Sequence, residues 1–147
     1  MMPTPIKIVM AKDCEDLFPT KAHTDDAAFD LRSRCDLTLP PMLSTLIPSG
    51  VFIELPINFE AQIRPRSGLA LKHNITLTNT PGTIDAGYRG EIGIIALNLG
   101  QKPFEIKRGD RIAQMVICRL PEVELVKCDR LGESCRGSGG FGSSGRA

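Results

Sequence analysis

The chain contains no tryptophan, one tyrosine and two histidines, and no two of its five cysteines are spaced Cys-x-x-Cys. His23 and His73 stand without ligand spacing, so a zinc site is excluded and both read as surface or core residues. Cys14, Cys35, Cys118, Cys128 and Cys135 are an odd set and no disulfide framework. They point to packing in a reducing compartment, and hence to a cytoplasmic protein. Charges are mixed and the net charge is +1, which removes the basic field expected of a nucleic-acid binder or a membrane-surface protein. No apolar run approaches membrane-spanning length, and Met1-Met2-Pro3-Thr4-Pro5-Ile6-Lys7 lacks the pattern of a secretory leader. No Gly-Lys-Ser/Thr is present, so there is no Walker A loop.

What remains is a chain of 147 residues with the apolar fraction of a globular domain. Ile6 to Met10 alternates as a first, edge strand. Lys12 to Pro19 has room for a short helical turn. Phe29-Asp30-Leu31 opens a stretch whose alternation continues at Cys35, Leu37 and Leu39 and stops at Pro40-Pro41. Leu43 to Leu55 reads as two strands broken at Pro48-Ser49-Gly50. After a turn at Pro56-Ile57-Asn58, Ala61 to Arg66 puts Gln62, Arg64 and Arg66 on one face, and the strand stops at Ser67-Gly68-Leu69-Ala70. Ile75, Leu77 and Asn79 share a face of the next strand. Ile92 to Leu97 is an apolar strand, and Phe104 to Lys107 joins Arg111 to Ile117 through an Arg108-Gly109-Asp110 hairpin connection. Leu125-Val126 closes the body. Short strands at this interval, with no long amphipathic helix, predict an all-β sandwich or barrel.

Between the strands lies Gly82-Thr83-Ile84-Asp85-Ala86-Gly87-Tyr88-Arg89-Gly90-Glu91-Ile92. Glycines at this density permit sharp folding and close approach of backbone N–H groups. The pattern predicts a tight hairpin or loop displaying Asp85 and Tyr88 on one concave face. A carboxylate held there can orient a water or a hydroxyl and accept its proton. An aspartate in such a turn more commonly caps its own backbone, and that reading stands beside the functional one. The end of the chain, Arg136 to Arg146, is Gly/Ser-rich and flexible by composition. Its two arginines, three serines and Phe141 are the parts of a phosphate clamp with a base-stacking ring.

Five segments together resemble the motifs of the trimeric dUTP pyrophosphatase (dUTPase) family. They are Ala27 to Leu31, Arg64 to Ala70, the Asp85–Tyr88 stretch, Gly109 to Gln114, and the tail from Arg136 to Gly145. They occur in the family's order and span almost the whole chain. The departures are Ala28 where the family often has Gly, Thr83 where a branched apolar residue is usual, and Gly87 where many members carry a second acid.

The resemblance implies a jelly-roll-like β-barrel over residues 1–130, with a flexible arm, 131–147, closing over the active site. It also implies a homotrimer with active sites between subunits. The implied reaction is Mg²⁺-assisted hydrolysis of dUTP to dUMP and pyrophosphate, keeping uracil out of DNA and supplying dUMP for thymidylate synthesis. Asp85 would hold the attacking water and contact the 3′-hydroxyl, and Tyr88 would exclude a 2′-hydroxyl. Asn79, with Thr83, Ile84 and Gly93 of the same stretch, would read uracil. Arg66, Ser67, Gly68 and Gln114 would bind phosphate, and Asp30 would reach the metal through its waters. Arg136, Phe141, Gly142, Ser143 and Ser144 would form the lid. Asp110 and Arg64 are also candidates for an ion pair, and Gln114 for a structural role. A dCTP deaminase-like enzyme of the same fold is an alternative, although such relatives carry a second serine where Gly68 stands. A non-catalytic nucleotide-binding module is the other.

Overall fold

A computed structural model describes residues 3–145. Among these residues eleven short strands form four small sheets, and one α-helix accompanies them. β1 (Lys7–Met10) pairs with β5 (Val51–Glu54), and β3 (Leu37–Leu39) with β10 (Phe104–Ile106). The largest sheet has the order β2 (Phe29–Arg32), β11 (Arg111–Arg119), β6 (Phe59–Pro65), β8 (Gly82–Ile84). The last has β9 (Gly93–Asn98) between β4 (Ser44–Pro48) and β7 (Ile75–Leu77). The all-β expectation holds, with the edge strand β1, the short 3₁₀ turn at Glu15–Leu17 and the break before Val51 where they were expected. No helix among the described residues is long and apolar enough to cross a membrane.

Alternation explains why these segments bury one face. Along β9, Ile94, Ala96 and Asn98 point inward while Gly93, Ile95 and Leu97 are half-buried. Leu31, Ile47, Ile63, Ile94, Ile106 and Met115 belong to one core drawn from every sheet but the β1–β5 pair, which adds Val51 and Ile53. Each such side chain contributes about 1.5–3 kcal/mol on burial. The one buried amide side chain among the described residues, Asn98, donates to Leu39 O (2.9 Å) and Lys102 O (2.8 Å) and accepts from Gly100 N–H (2.8 Å). Fully bonded, it stitches β9 to the β3 strand and to its own following turn.

Two local expectations give way, and two others are sharpened. Ser67–His73 is a helix, α1, entered from Arg66 and stopped by Asn74 in the left-handed conformation (φ 57°). None of its residues is buried, so no apolar periodicity marks it. β10 and β11 are not a hairpin, since β10 pairs with β3 while β11 lies between β2 and β6. Of the hairpin or loop expected after Gly82, the loop is what forms, since β8 and β9 belong to different sheets. Regular structure ends at Arg119, and Leu125 and Val126 are exposed outside any strand rather than closing the body.

Candidate active site

Two concavities gather most of the candidate residues, and they are different concavities. The first, of about 240 Å³, is lined by Asp26, Ala28, Asp30, Arg66, Ser67, Gly68, Arg111 and Gln114, among others. Its architecture follows from β2, β11 and β6 lying side by side. Asp30 is in register with Gln114, and Gln114 with Arg64. A bulge between Arg111 and Ala113 sits where Arg111 reaches back to Asp30. Asp30 is the hub: its Oδ1 meets Arg66 Nε at 3.1 Å and its Oδ2 meets Arg111 Nη1 at 3.2 Å. Its side chain is only 15% exposed, so the carboxylate serves chiefly to hold two guanidiniums toward the cavity. Arg66 also donates to Arg111 O (3.2 Å), which fixes its stem.

Ser67 and Gly68 occupy the first turn of α1, where backbone N–H groups have no intrahelical acceptor. Nothing lies within 4 Å of a Cβ built on Gly68, so the backbone there is open to a ligand. Gln114 donates to Pro65 O at 2.8 Å, tying β11 to the end of β6; this is the structural role. Asp110 and Arg64 do not pair with each other. Asp110 accepts from Lys107 N–H (2.8 Å) and closes the turn before β11, while Arg64 clasps Gln62 Oε1 through Nε (3.1 Å) and Nη2 (2.6 Å). Arg64 lines a second hollow that shares Arg66, Ser67 and Gln114 with the first.

The other concavity, of about 330 Å³, is lined by Leu46, Thr83, Ile84, Asp85, Tyr88, Glu91, Gly93 and Ile95. It exists because β8 and β9 diverge. β8 is the edge of its sheet, bonded to β6 alone, and β7 pairs with β9 only from Ala96 onward. Two strand edges therefore flank the space, with the backbone donors and acceptors that can read the edge of a flat ring. Asp85 and Tyr88 do share this concave face, as expected. The Asp85–Tyr88 turn is closed by backbone, Tyr88 N–H to Asp85 O at 3.0 Å. Among the described residues the Asp85 carboxylate accepts no hydrogen bond. It is exposed and does not cap its own turn.

Asn79 lines neither concavity. It packs on Gly82, its amide nitrogen 3.1 Å from where a Cβ on Gly82 would stand. Arg136, Phe141, Gly142, Ser143 and Ser144 line neither one. The arm folds into turns bonded only within itself, and the Phe141 ring is fully exposed. Arg146 lies outside the described residues.

Arg111, Leu46 and Glu91 were missed by the sequence reading. The Gly109 to Gln114 segment contained Arg111 but gave no sign that it would face Asp30; Leu46 read as an ordinary strand residue. The two concavities lie apart along β6. Ala61 is opposite Ile84, so Asp85 sits near Glu60, six residues before Arg66, or about 20 Å of extended strand.

No three His, Cys, Asp or Glu side chains among the described residues cluster closely enough to cage a metal ion. Asp30, with both oxygens engaged by arginine, fits a contact through metal-bound water and not direct ligation.

The dUTPase family model matches residues 16–145. A deoxyuridine 5'-triphosphate nucleotidohydrolase of Gloeothece citriformis is 57% identical over 88% of this chain and 89% of its own length. One from Clostridium tetani is 54% identical over 96% of this chain and 97% of its own. Among solved structures, the Staphylococcus bacteriophage 80alpha dUTPase with dUPNHPP superposes with a TM-score of 0.89 and 26% identity, covering 98% of this chain and all of that one. The expected all-β, dUTPase-like fold is thereby borne out.

Proposed function

Because the chain belongs to the dUTPase family, we propose that it hydrolyses dUTP to dUMP and pyrophosphate. The observation that carries the reading is the unbonded Asp85 carboxylate beside Tyr88, in a cleft walled by two strand edges. The strand edges of Thr83, Ile84 and Gly93 hydrogen-bond uracil. Asn79, packed against Gly82, braces that wall rather than touching the base directly. Tyr88 lies against the deoxyribose, where a 2′-hydroxyl would collide with its ring.

Asp85 orients a water and takes its proton as the oxygen attacks the α-phosphorus; the bond to the bridging oxygen breaks and pyrophosphate leaves. Arg66, Ser67 and Gly68 hold the phosphate chain, with Gln114 keeping the end of β6 in place. Magnesium enters as part of the substrate, bound to the triphosphate oxygens and neutralising charge there. Asp30 would meet it through metal-bound water.

A triphosphate and its nucleoside are too short to span about 20 Å of strand between Asp85 and Arg66 of one chain. The site is therefore composite, with one copy supplying Asp85 and Tyr88 and a neighbour supplying Arg66 to Gly68. A closed homotrimer repeats this heterologous contact three times. Residues 131–147 are the lid: Phe141 stacks on uracil while Arg136, Gly142, Ser143 and Ser144 close on the outer phosphates and exclude water. Their turns bond only within the arm, which leaves them free to reach another copy. All five cysteines are free, which supports action in the reducing cytoplasm. The product dUMP then feeds thymidylate synthesis, and removal of dUTP keeps uracil out of DNA.

The test is pyrophosphate release from dUTP, dCTP, dTTP and UTP with Mg²⁺, side by side. Release from dUTP alone is expected. Ammonia from dCTP would transfer the chain to the deaminase reading, and no product from any of the four would leave a binding module.

A further inference from the structure

The Tyr88 ring is 45% exposed, yet its position is tightly specified by two neighbours. Its hydroxyl donates to Glu91 O at 3.0 Å, so the side chain folds back over Gly90. A Cβ at position 90 would stand 2.5 Å from Tyr88 Cζ and 2.9 Å from Cε2, inside any real contact distance. Only glycine leaves room for this stance. Glu91 in turn is anchored through its carboxylate at two points. Its carboxylate accepts from Gly50 N–H (2.7 Å) and from Arg34 Nη1 (2.9 Å). The next residue, Ile92, is held on both backbone sides: its N–H bonds Val51 O at 2.8 Å, and its carbonyl accepts from Ser49 Oγ at 2.6 Å.

We propose that Arg34, Glu91 and Gly90 are positioning residues for sugar selection. The Arg34–Glu91 pair fixes the carbonyl on which the Tyr88 hydroxyl rests, and Gly90 lets the ring lie there. The Glu91 carboxylate is taken up by Gly50 and Arg34, so the pair acts by holding the carbonyl that the Tyr88 hydroxyl bonds, and Gly90 acts by admitting the ring. The ordering matters because an exposed aromatic ring with one hydrogen bond and no steric guide samples several staggered positions. A ring that moves cannot exclude a hydroxyl. The inference rests on the reading that Tyr88 lies against the sugar.

The atoms met by a Cβ at position 90 are all in the Tyr88 side chain, so Gly90→Ala displaces the ring and leaves the backbone in place. The experiment is kcat/KM for dUTP and for UTP, together with Tm, in the wild type, Gly90→Ala, Glu91→Ala, Glu91→Gln, Arg34→Met and Tyr88→Ala. The dUTP-to-UTP ratio falls about tenfold in Gly90→Ala and Glu91→Ala, the scale of one lost hydrogen bond. Arg34→Met lowers it less, and Glu91→Gln, which can still accept from Gly50, recovers part of it. Gly90→Ala does this without loss of Tm. If Tyr88→Ala lowers the ratio while Gly90→Ala and Glu91→Ala leave it at the wild-type value, the inference is overturned and the sugar role of Tyr88 stands. If Tyr88→Ala also leaves the ratio unchanged, both fall.

Discussion

Asp85→Asn separates chemistry from structure more cleanly than any other single change in this chain. The substitution keeps the shape of the side chain and removes its ability to take a proton. Two magnitudes follow from the structure. Among the described residues the carboxylate accepts no hydrogen bond and its turn is closed by backbone, so folding loses almost nothing: under about 0.5 kcal/mol, as for an ordinary surface change. For a chain this size that is a Tm shift below about 2 °C. Loss of a general base costs about 10²–10⁴ in kcat, or ~3–5 kcal/mol of barrier. Substrate affinity changes little, because the strand edges and the phosphate-binding residues are untouched. Steady-state pyrophosphate release with dUTP, equilibrium binding of a non-hydrolysable analogue and a thermal melt on the same preparation give all three values. A drop in Tm of many degrees in step with the activity loss would mean that Asp85 builds the turn after all. Full activity would remove it from the mechanism.

Other outcomes follow from the same geometry. Deleting residues 136–147 leaves the melting temperature unchanged, since hydrogen bonds from 136–145 close only within the arm, and lowers kcat/KM about a hundredfold, the scale of two charge-assisted hydrogen bonds. Asn98→Ala strands two carbonyls and one N–H and destabilises by about 2–4 kcal/mol in urea titration, while the dUTP-to-UTP ratio stays put. Arg108 grips Asp16 through two 2.7 Å contacts and donates its backbone N–H to Asp36; the hydrogen bond from Arg108 holds each of these carboxyls below the ordinary aspartate range. A carboxyl whose pKa is depressed on folding stabilises above its unfolded value and loses that contribution as pH falls through the folded one. The Tm gap between wild type and Arg108→Met should therefore be present at pH 6 and shrink below about pH 3.8, as differential scanning fluorimetry would show.

The strands were legible because their pattern is local: the alternation of Ala61 and Ile63 with Gln62 and Arg64 announces a buried face whatever it packs against. Helix α1 was not, because a seven-residue helix that buries nothing carries no apolar period. Pairing was illegible for a different reason. Lys107 to Asp110 forms a turn between consecutive strands, yet β10 and β11 each find partners far away in sequence, and turn residues alone do not select them. At the site, the motifs named Asp30, Arg66, Ser67, Gly68, Asp85 and Tyr88, and the structure sorts them into two groups. That division depends on the register of β8 on β6, which no spacing of residues reveals. The contact of Tyr88 with Gly90 is likewise a rotamer choice, hidden in a sequence that offers Gly90 only as a turn former.

The central claim is a dUTP-hydrolysing site assembled from two copies of the chain, and subunit mixing tests it most directly. Asp85→Asn and Arg66→Ala proteins, each nearly inactive, are unfolded together in equal amounts and refolded. If one copy supplies Asp85 and its neighbour Arg66, half of the copies carry each intact part, and about a quarter of the sites regain both. Recovery of about a quarter of wild-type dUTP turnover is the expected result. A mixture no more active than the average of the two parents would contradict the account, because it would mean that each chain needs its own Asp85 and Arg66.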